Sequence, residues 1–223
     1  MWPALDRSTL QGVQLAVPDR DAAVAFAEQV LRLERTAPGA TRFRIGAHWL
    51  AFEQRQPAGL PGNAATLHWR CRDLQRQQAL LAQRGVDLQN DAEPGEATLL
   101  RVAAADTGAC ALQWTADAQG KADMPPAAQG ITALVLHARA PERVAAHWAQ
   151  MFQGSVERPA AGCPRLVLDG ISLQFMFVEE AAGGVSRMTL ALGDAISNDA
   201  NVDTDALAIA GLTIGLAKAA PRG

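Results

Sequence analysis

Residues 12–19 read Gly-Val-Gln-Leu-Ala-Val-Pro-Asp, and this stretch decides the fold because its plan recurs along the chain. A short apolar strand ends in a turn that carries an acid, and a helix-forming segment follows. The same plan begins again at residues 66–73, 133–140 and 187–194. Asp19 and Asp73 are 54 positions apart, as are Ala140 and Asp194, and the second pair follows the first by 121 positions. Two equally spaced pairs of this pattern indicate a chain built from four similar units.

Periodicity predicts the elements of the first unit. Alternating apolar residues place one face of the strand on a core. The next segment carries an apolar stripe at helical spacing, formed by Ala23, Phe26, Ala27, Val30 and Leu31. Asp19 or Asp21 is suited to cap that helix, since a carboxylate satisfies its free N–H groups. Strands at 41–45 and 48–52 meet at Gly46, and residues 34–37 leave room for one more. The unit therefore reads βαβββ.

The other three units follow this plan with different completeness. The sequence of the third unit predicts a helix through Trp148, followed by a hairpin in which strand 165–169 pairs with strand 171–178. The second predicts a helix over 74–84, then strands 98–103 and 110–115 around the turn Asp106-Thr107-Gly108. In the fourth, 195–205 is too short for a full helix, and 206–209 pairs with 212–218. The prediction is an α+β chain of two domains, 8–117 and 129–220, joined by a linker at 118–128 with Gly and Pro.

The composition limits the classes of function that the chain can have. The chain is 49% hydrophobic, with a net charge of −3 and a pI of about 5.8, so no basic field favours a nucleic-acid partner. No apolar run approaches the length of a membrane span, and residues 1–10 do not read as a signal peptide. Cys71, Cys110 and Cys163 are odd in number and lack metal-binding spacing, which favours reduced cysteines in the cytoplasm.

Paired βαβββ units with a strand ending in Val-Pro-Asp resemble the vicinal oxygen chelate superfamily, which includes glyoxalase I, extradiol dioxygenases and bleomycin-resistance proteins. The resemblance rests on residues 12–33, 66–88 and 131–154 and on the hairpins at Gly46 and Gly170. It implies two glyoxalase-like modules, 8–117 and 129–220, the second with an eroded last unit. Each module would curl its sheet into a cup. Because this fold hosts many chemistries, the resemblance does not specify a reaction.

The resemblance also indicates where metal ligands would lie. The first-strand positions, seven residues before the turn acid, are Gly12, Thr66, Ala133 and Arg187. The last-strand positions, which are commonly Glu, align with Leu50, Gln113, Gln174 and Gly215 within one residue. Neither set offers the charged or imidazole ligands that a divalent ion needs. The expectation is therefore that both cups lack the family metal and that no cofactor is bound.

Strand alternation predicts which polar side chains enter the cups. The ligand-binding candidates are Gln14, His68, Arg70, Gln113, His137, Gln174 and Arg187. His68 and Arg70 would anchor an anionic or carbonyl-bearing ligand, or else be structural residues at the rim or in a dimer contact. For His137 the favoured interpretation is a hydrogen-bonded core histidine. For Trp49 and Trp114, core packing is favoured over walling a pocket or facing a partner surface, and His48 shows little sign of a role.

Three functions remain open. The leading hypothesis is a metal-independent protein that binds a small apolar or aromatic molecule in a cup, as resistance members of the superfamily do. The second is a non-standard lyase, isomerase or dioxygenase-type enzyme with a site around His68, Arg70 and Gln113. The third is a non-catalytic association module, and a homodimer is compatible with all three.

Overall fold

The structure is a computed structural model that describes residues 8–55, 64–89, 98–116, 130–159, 162–179, 184–192, 207–209 and 212–218. The first half contains β1 (Thr9–Val17), α1 (Arg20–Gln29), β2 (Glu34–Arg35), β3 (Arg42–Ile45), β4 (His48–Gln54), β5 (Ala65–Cys71), α2 (Leu74–Gln83), β6 (Leu99–Val102), α3 (Ala104–Thr107) and β7 (Ala111–Ala116). The second half contains β8 (Gly130–Ala138), α4 (Pro141–Met151), β9 (Val156–Glu157), β10 (Arg165–Leu168), β11 (Ile171–Phe177), β12 (Gly184–Leu192), β13 (Leu207–Ile209) and β14 (Leu212–Lys218).

The helices begin where the turn residues predict. Asp19 precedes α1 and its carboxylate accepts a hydrogen bond from the Ala22 amide at 2.9 Å. Asp73 caps α2 in the same way, through the Arg76 amide at 2.9 Å. The third unit has Ala140 at this position and makes no side-chain cap, but Pro141 opens α4 with a backbone angle suited to a first turn. The capping prediction for Asp19 is confirmed.

Each half forms one seven-stranded sheet with the same connectivity. The first has the order β2-β3-β4-β1-β5-β7-β6, and the second has the order β13-β14-β12-β8-β11-β10-β9. In each, the first strands of two units pair antiparallel at the centre, β1 with β5 and β8 with β12. Each of these four strands also pairs in parallel with the last strand of its own unit. This is the predicted α+β arrangement of tandem βαβββ units. The linker 118–128 and residues 195–205 lie outside the described residues.

A cluster of aromatic side chains joins the two halves on the helical side of the sheets. Phe152, at the end of α4, lies 4.6 Å from Trp69, 5.5 Å from Trp114 and 5.9 Å from Trp148, measured between ring centroids. The three tryptophans are fully buried, so the prediction of core packing holds for Trp114. The Trp148 indole also donates to the Thr107 carbonyl at 3.0 Å. One apolar core therefore spans both halves.

His48 makes a second link between the halves. Its Nδ1 accepts a hydrogen bond from the Ile131 amide at 3.0 Å, where β4 meets the start of β8. Gly130 leaves the space for this contact, because a Cβ there would lie 2.2 Å from His48 Nδ1. Burial lowers the pKa of His48 from 6.5 to about 4, so the imidazole stays neutral and can accept. Local sequence does not predict this role, because the partner amide is 83 residues away.

Among the described residues, no helix is long and apolar enough to cross a membrane.

Replacing Phe152 with Ala is expected to lower the free energy of unfolding by about 3 kcal/mol, because three buried indoles lose a packing partner. Urea denaturation measures the change. Phe177→Ala is the matched control, since that ring is 63% exposed, and it should cost no more than about 0.5 kcal/mol. Equal losses in the two variants would contradict the role assigned to Phe152.

Stability should fall as the pH drops from 6.5 towards 4. The pKa of His48 and that of His68 are both lowered to about 4 in the folded chain, so the unfolded chain binds more protons in this window. Each histidine contributes a slope of up to about 1.4 kcal/mol per pH unit. In His48→Gln, an amide oxygen that does not titrate replaces the Nδ1 acceptor. The slope of the free energy of unfolding against pH should therefore decrease between pH 5 and 6.5. Denaturation at a series of pH values checks this, and a slope equal to that of the wild type would refute the assignment.

Candidate ligand-binding faces

The face of the first sheet that points away from the helices is called the first cup. Paired positions share a face, so the strand register shows which residues line it. One row of paired positions crosses all seven strands and consists of Glu34, Arg44, Trp49, Gly12, His68, Gln113 and Arg101. The predicted cup positions of His68 and Gln113 are therefore neighbours on β5 and β7.

The Trp49 ring occupies the centre of the first cup. A Cβ built at Gly12 would lie 2.2 Å from Trp49 Cδ2, so the ring packs directly on the glycine backbone. Trp49 also contacts the His68 ring, with 4.7 Å between centroids, and His68 Nε2 lies 3.0 Å from Gln14 Oε1. Gly12 is the position at which the resemblance would place a metal ligand. An indole now fills the space above it.

The electrostatics of the first cup follow from this packing. Burial, and after it the positive charges of Arg42 and Arg101, lower the pKa of His68 from 6.5 to about 4. His68 is therefore neutral near pH 7, so one of its ring nitrogens donates a hydrogen bond and the other accepts one. Arg70, also predicted to enter this cup, lies on the same strand face two residues beyond His68. With the Gln11 amide oriented so that its oxygen accepts, Arg70 Nη2 donates to it over 2.7 Å.

The structure corrects one prediction on β4 and resolves the one-residue margin of another. Leu50 pairs with Val13 and is fully buried on the helical side, so it does not occupy a ligand position. The neighbouring residues Trp49 and Ala51 face the first cup instead, which is a shift of one residue. Core packing is correspondingly wrong for Trp49. A one-residue shift moves a strand residue to the opposite face, and the short hairpin around Gly46 does not fix that parity from sequence.

The corresponding face of the second sheet, the second cup, is lined differently. Its central row of paired positions is Val167, Ser172, Ala133, Thr189 and Gly215. These residues are small or β-branched, and a Cβ at Gly215 would make its closest contact at an ordinary 3.6 Å. The pair Ala133 and Ser172 occupies the place that Gly12 and Trp49 hold in the first cup. The described positions paired with Ala133 and Ser172 carry no aromatic side chain.

Polar candidates surround this small-residue centre. Gln174 and Arg187 both pair with Val135, on either side of β8, and Arg187 is exposed. His137 lies two residues further along β8, beside Met176 and Gly184. The predicted neighbours of His137 are thus one row away from it. Burial lowers the pKa of His137, which favours the neutral imidazole there.

The described residues of the first and second cups present no suitable set of donors for a metal ion. Within the described ranges, no group of three or more His, Cys, Asp or Glu side chains comes close enough to hold one. The neutral amides of Gln113 and Gln174 and the cationic Arg187 stand at the family's ligand positions. A divalent ion needs several anionic or imidazole donors converging on one point. The described residues at these positions therefore do not fit the metal that this type of fold implies.

Gly12→Ala is expected to destabilise the protein by about 1 to 3 kcal/mol, because the new methyl group would collide with Trp49. Gly215→Ala is the matched control in the second cup, where the same methyl group makes only ordinary van der Waals contacts, the nearest at 3.6 Å, and it should cost much less. Thermal or urea denaturation of both variants provides the comparison. Equal tolerance of the two substitutions would contradict the filled centre of the first cup.

Comparison with known proteins finds similar structures, all of low sequence identity to this chain among those described below. No protein-family description and no curated protein matches the sequence. A hypothetical protein from Staphylococcus aureus matches the structure over 95% of this chain and 99% of its own, with 10% identity and a TM-score of 0.65.

Two other matching structures are of named enzymes. The Mn(II)-bound glyoxalase from Novosphingobium aromaticivorans matches over 84% of this chain and 67% of its own, with 15% identity and a TM-score of 0.59. An extradiol ring-cleaving dioxygenase from B. fuscum matches over 96% of this chain and 72% of its own, with 12% identity and a TM-score of 0.58. At such identities the likeness concerns architecture alone. The chain therefore has the vicinal oxygen chelate fold, the architecture of glyoxalases and extradiol dioxygenases.

Proposed function

We propose that this protein binds a small apolar or aromatic molecule in the second cup without a metal ion. The observation that carries the proposal is the contrast between the two cups. In the first, Trp49 packs on Gly12 and fills the centre. In the second, Ala133 and Ser172 hold the same places, and the described positions of their row carry no aromatic side chain.

Exposed apolar side chains support the site. Val167 is 43% exposed and Met176 is 40% exposed, and both lie on the face of the second cup. An apolar ligand that covered them would remove their surface from water, at roughly 25 cal/mol for each Å² buried. Met adapts its shape to irregular partners, which suits a ligand cup. The surface is therefore chemically matched to an apolar or aromatic molecule.

Arg187 and Gln174 would orient the ligand. They flank Val135 at the edge of the small-residue centre, so a ligand resting on Ala133 would place a polar end between them. A guanidinium offers a planar set of donors to a carboxylate or carbonyl group, and the amide adds a donor and an acceptor. A few polar groups beside an apolar surface are typical of small-molecule sites.

Blocking the second cup should abolish ligand binding. Ala133→Leu places a larger side chain at the centre of the cup and is expected to weaken binding of the fluorescent probe anilinonaphthalene sulfonate at least tenfold. Ala111→Leu is the matched control, because Ala111 lies on the first cup at an equally half-buried strand position. Fluorescence titration gives both affinities. Equal affinities in the two variants would refute the assignment to the second cup.

Native mass spectrometry of protein purified from its own host separates this proposal from the alternatives. A retained small molecule, without metal, is the expected result. A divalent metal at one ion per chain would contradict the metal-free proposal and favour an enzyme of glyoxalase or dioxygenase type. A ligand-free dimer whose dissociation exposes the probe site would favour the association module instead.

A further inference from the structure

The first cup carries an excess of positive charge. Its strand register places four guanidinium groups and two carboxylates on one face: Arg42, Arg44, Arg70 and Arg101 with Glu34 and Glu53. Among the described residues of this face the charge is +2, whereas the whole chain has a net charge of −3. A face of opposite sign to the rest of the molecule concentrates anions from solution.

Arg42 is held in place by an aromatic ring while its donors remain available. Its guanidinium carbon lies 4.2 Å from the centroid of the Trp49 ring, whose own position is fixed by Gly12 and His68. A guanidinium that contacts an aromatic ring through its face keeps its N–H groups at the edge free to donate. Arg42 is exposed, so these donors point to a solvent-accessible layer above the filled centre.

Arg101 lies on the same face and approaches His68 from the opposite edge of the sheet, along β7 and β6. It pairs with Gln113, which pairs with His68, so two strand spacings of about 4.8 Å separate the backbones of Arg101 and His68. Both Arg42 and Arg101 act on His68 through their charge. Within the described part of the chain, neither forms an ion pair with a carboxylate.

The nearest acids by register do not supply the missing negative charge. Glu34 pairs with Arg44 at the outer edge of the sheet, and Glu53 pairs with Ala16 two residues beyond Ala51. His68 itself is neutral, and its amide contact with Gln14 carries no charge. Among the described residues, no carboxylate pairs with either of the two guanidinium groups beside this neutral ring.

We propose that the first cup binds the oxyanion of a small acidic molecule, a carboxylate or a phosphate, between Arg42 and Arg101 and beside His68. The filled centre forms the floor of this site, and the two arginines form its sides. The site is separate in position and in chemistry from the apolar site proposed in the second cup, and it does not depend on it.

Titration of the His68 imidazole by NMR tests the proposal. Inorganic phosphate should raise the pKa of His68 by about one unit or more, because a bound anion offsets the two positive charges. Acetate is the second probe. A larger effect of acetate at equal concentration identifies a carboxylate site, and a larger effect of phosphate identifies a phosphate site. Sodium chloride at matched ionic strength controls for screening, and a shift no greater than that of chloride would overturn the proposal.

Variants assign the anion to these residues. Arg42→Gln and Arg101→Gln should each raise the dissociation constant of the preferred anion by about tenfold or more. Arg42→Lys keeps the charge but loses the planar set of donors, so it should fall between the wild type and Arg42→Gln. Arg143→Gln on α4 removes an arginine remote from the first cup and should leave the constant unchanged. If Arg101→Gln, at an exposed edge-strand position, binds as the wild type does, the proposal is refuted even if Arg42→Gln fails to fold.

Discussion

The antiparallel pairing of β1 with β5, and of β8 with β12, sets the register on which every other feature depends. These pairs lie at the centres of the two sheets, and each strand also holds the last strand of its own unit in parallel. Because side chains alternate across a strand, this register places Val13, Leu67 and Leu134 in the core and leaves the intervening residues to line a cup. Burial on the helical side thus decides which residues are free to take part in binding.

The same scaffold has produced two different surfaces. At equivalent places in the paired strands, the first cup has Gly12 and Trp49, and the second has Ala133 and Ser172. One exchange of a small residue for an indole closes the centre of the first cup and recruits His68 and Arg42 around the ring. The fold fixes where a ligand would lie, and a few side chains fix whether there is room for it. Each cup therefore has its own binding chemistry, which the shared fold does not determine.

Much of the fold follows from local pattern, and much of the site does not. Strand alternation and the acids Asp19 and Asp73 predict the units and the helix starts, because those signals act over a few residues. Gln14 and His68 are also correctly predicted to share a face. The role of His48 depends on an amide in the other half, and that of Trp49 depends on which face of β4 turns inward. Neither is encoded by its neighbours in sequence, so only the assembled sheets reveal them.

The aromatic cluster around Phe152 has a consequence for how the chain can be divided. The ring belongs to the second half, yet it covers Trp69 and Trp114 of the first. A fragment ending before β8 would expose two large indoles to water, and a patch of that kind favours aggregation. The repeats thus imply an ancestral duplication, but the copies have since come to share one interior. Fragments cut between them would be poor substitutes for the intact chain in any biochemical study.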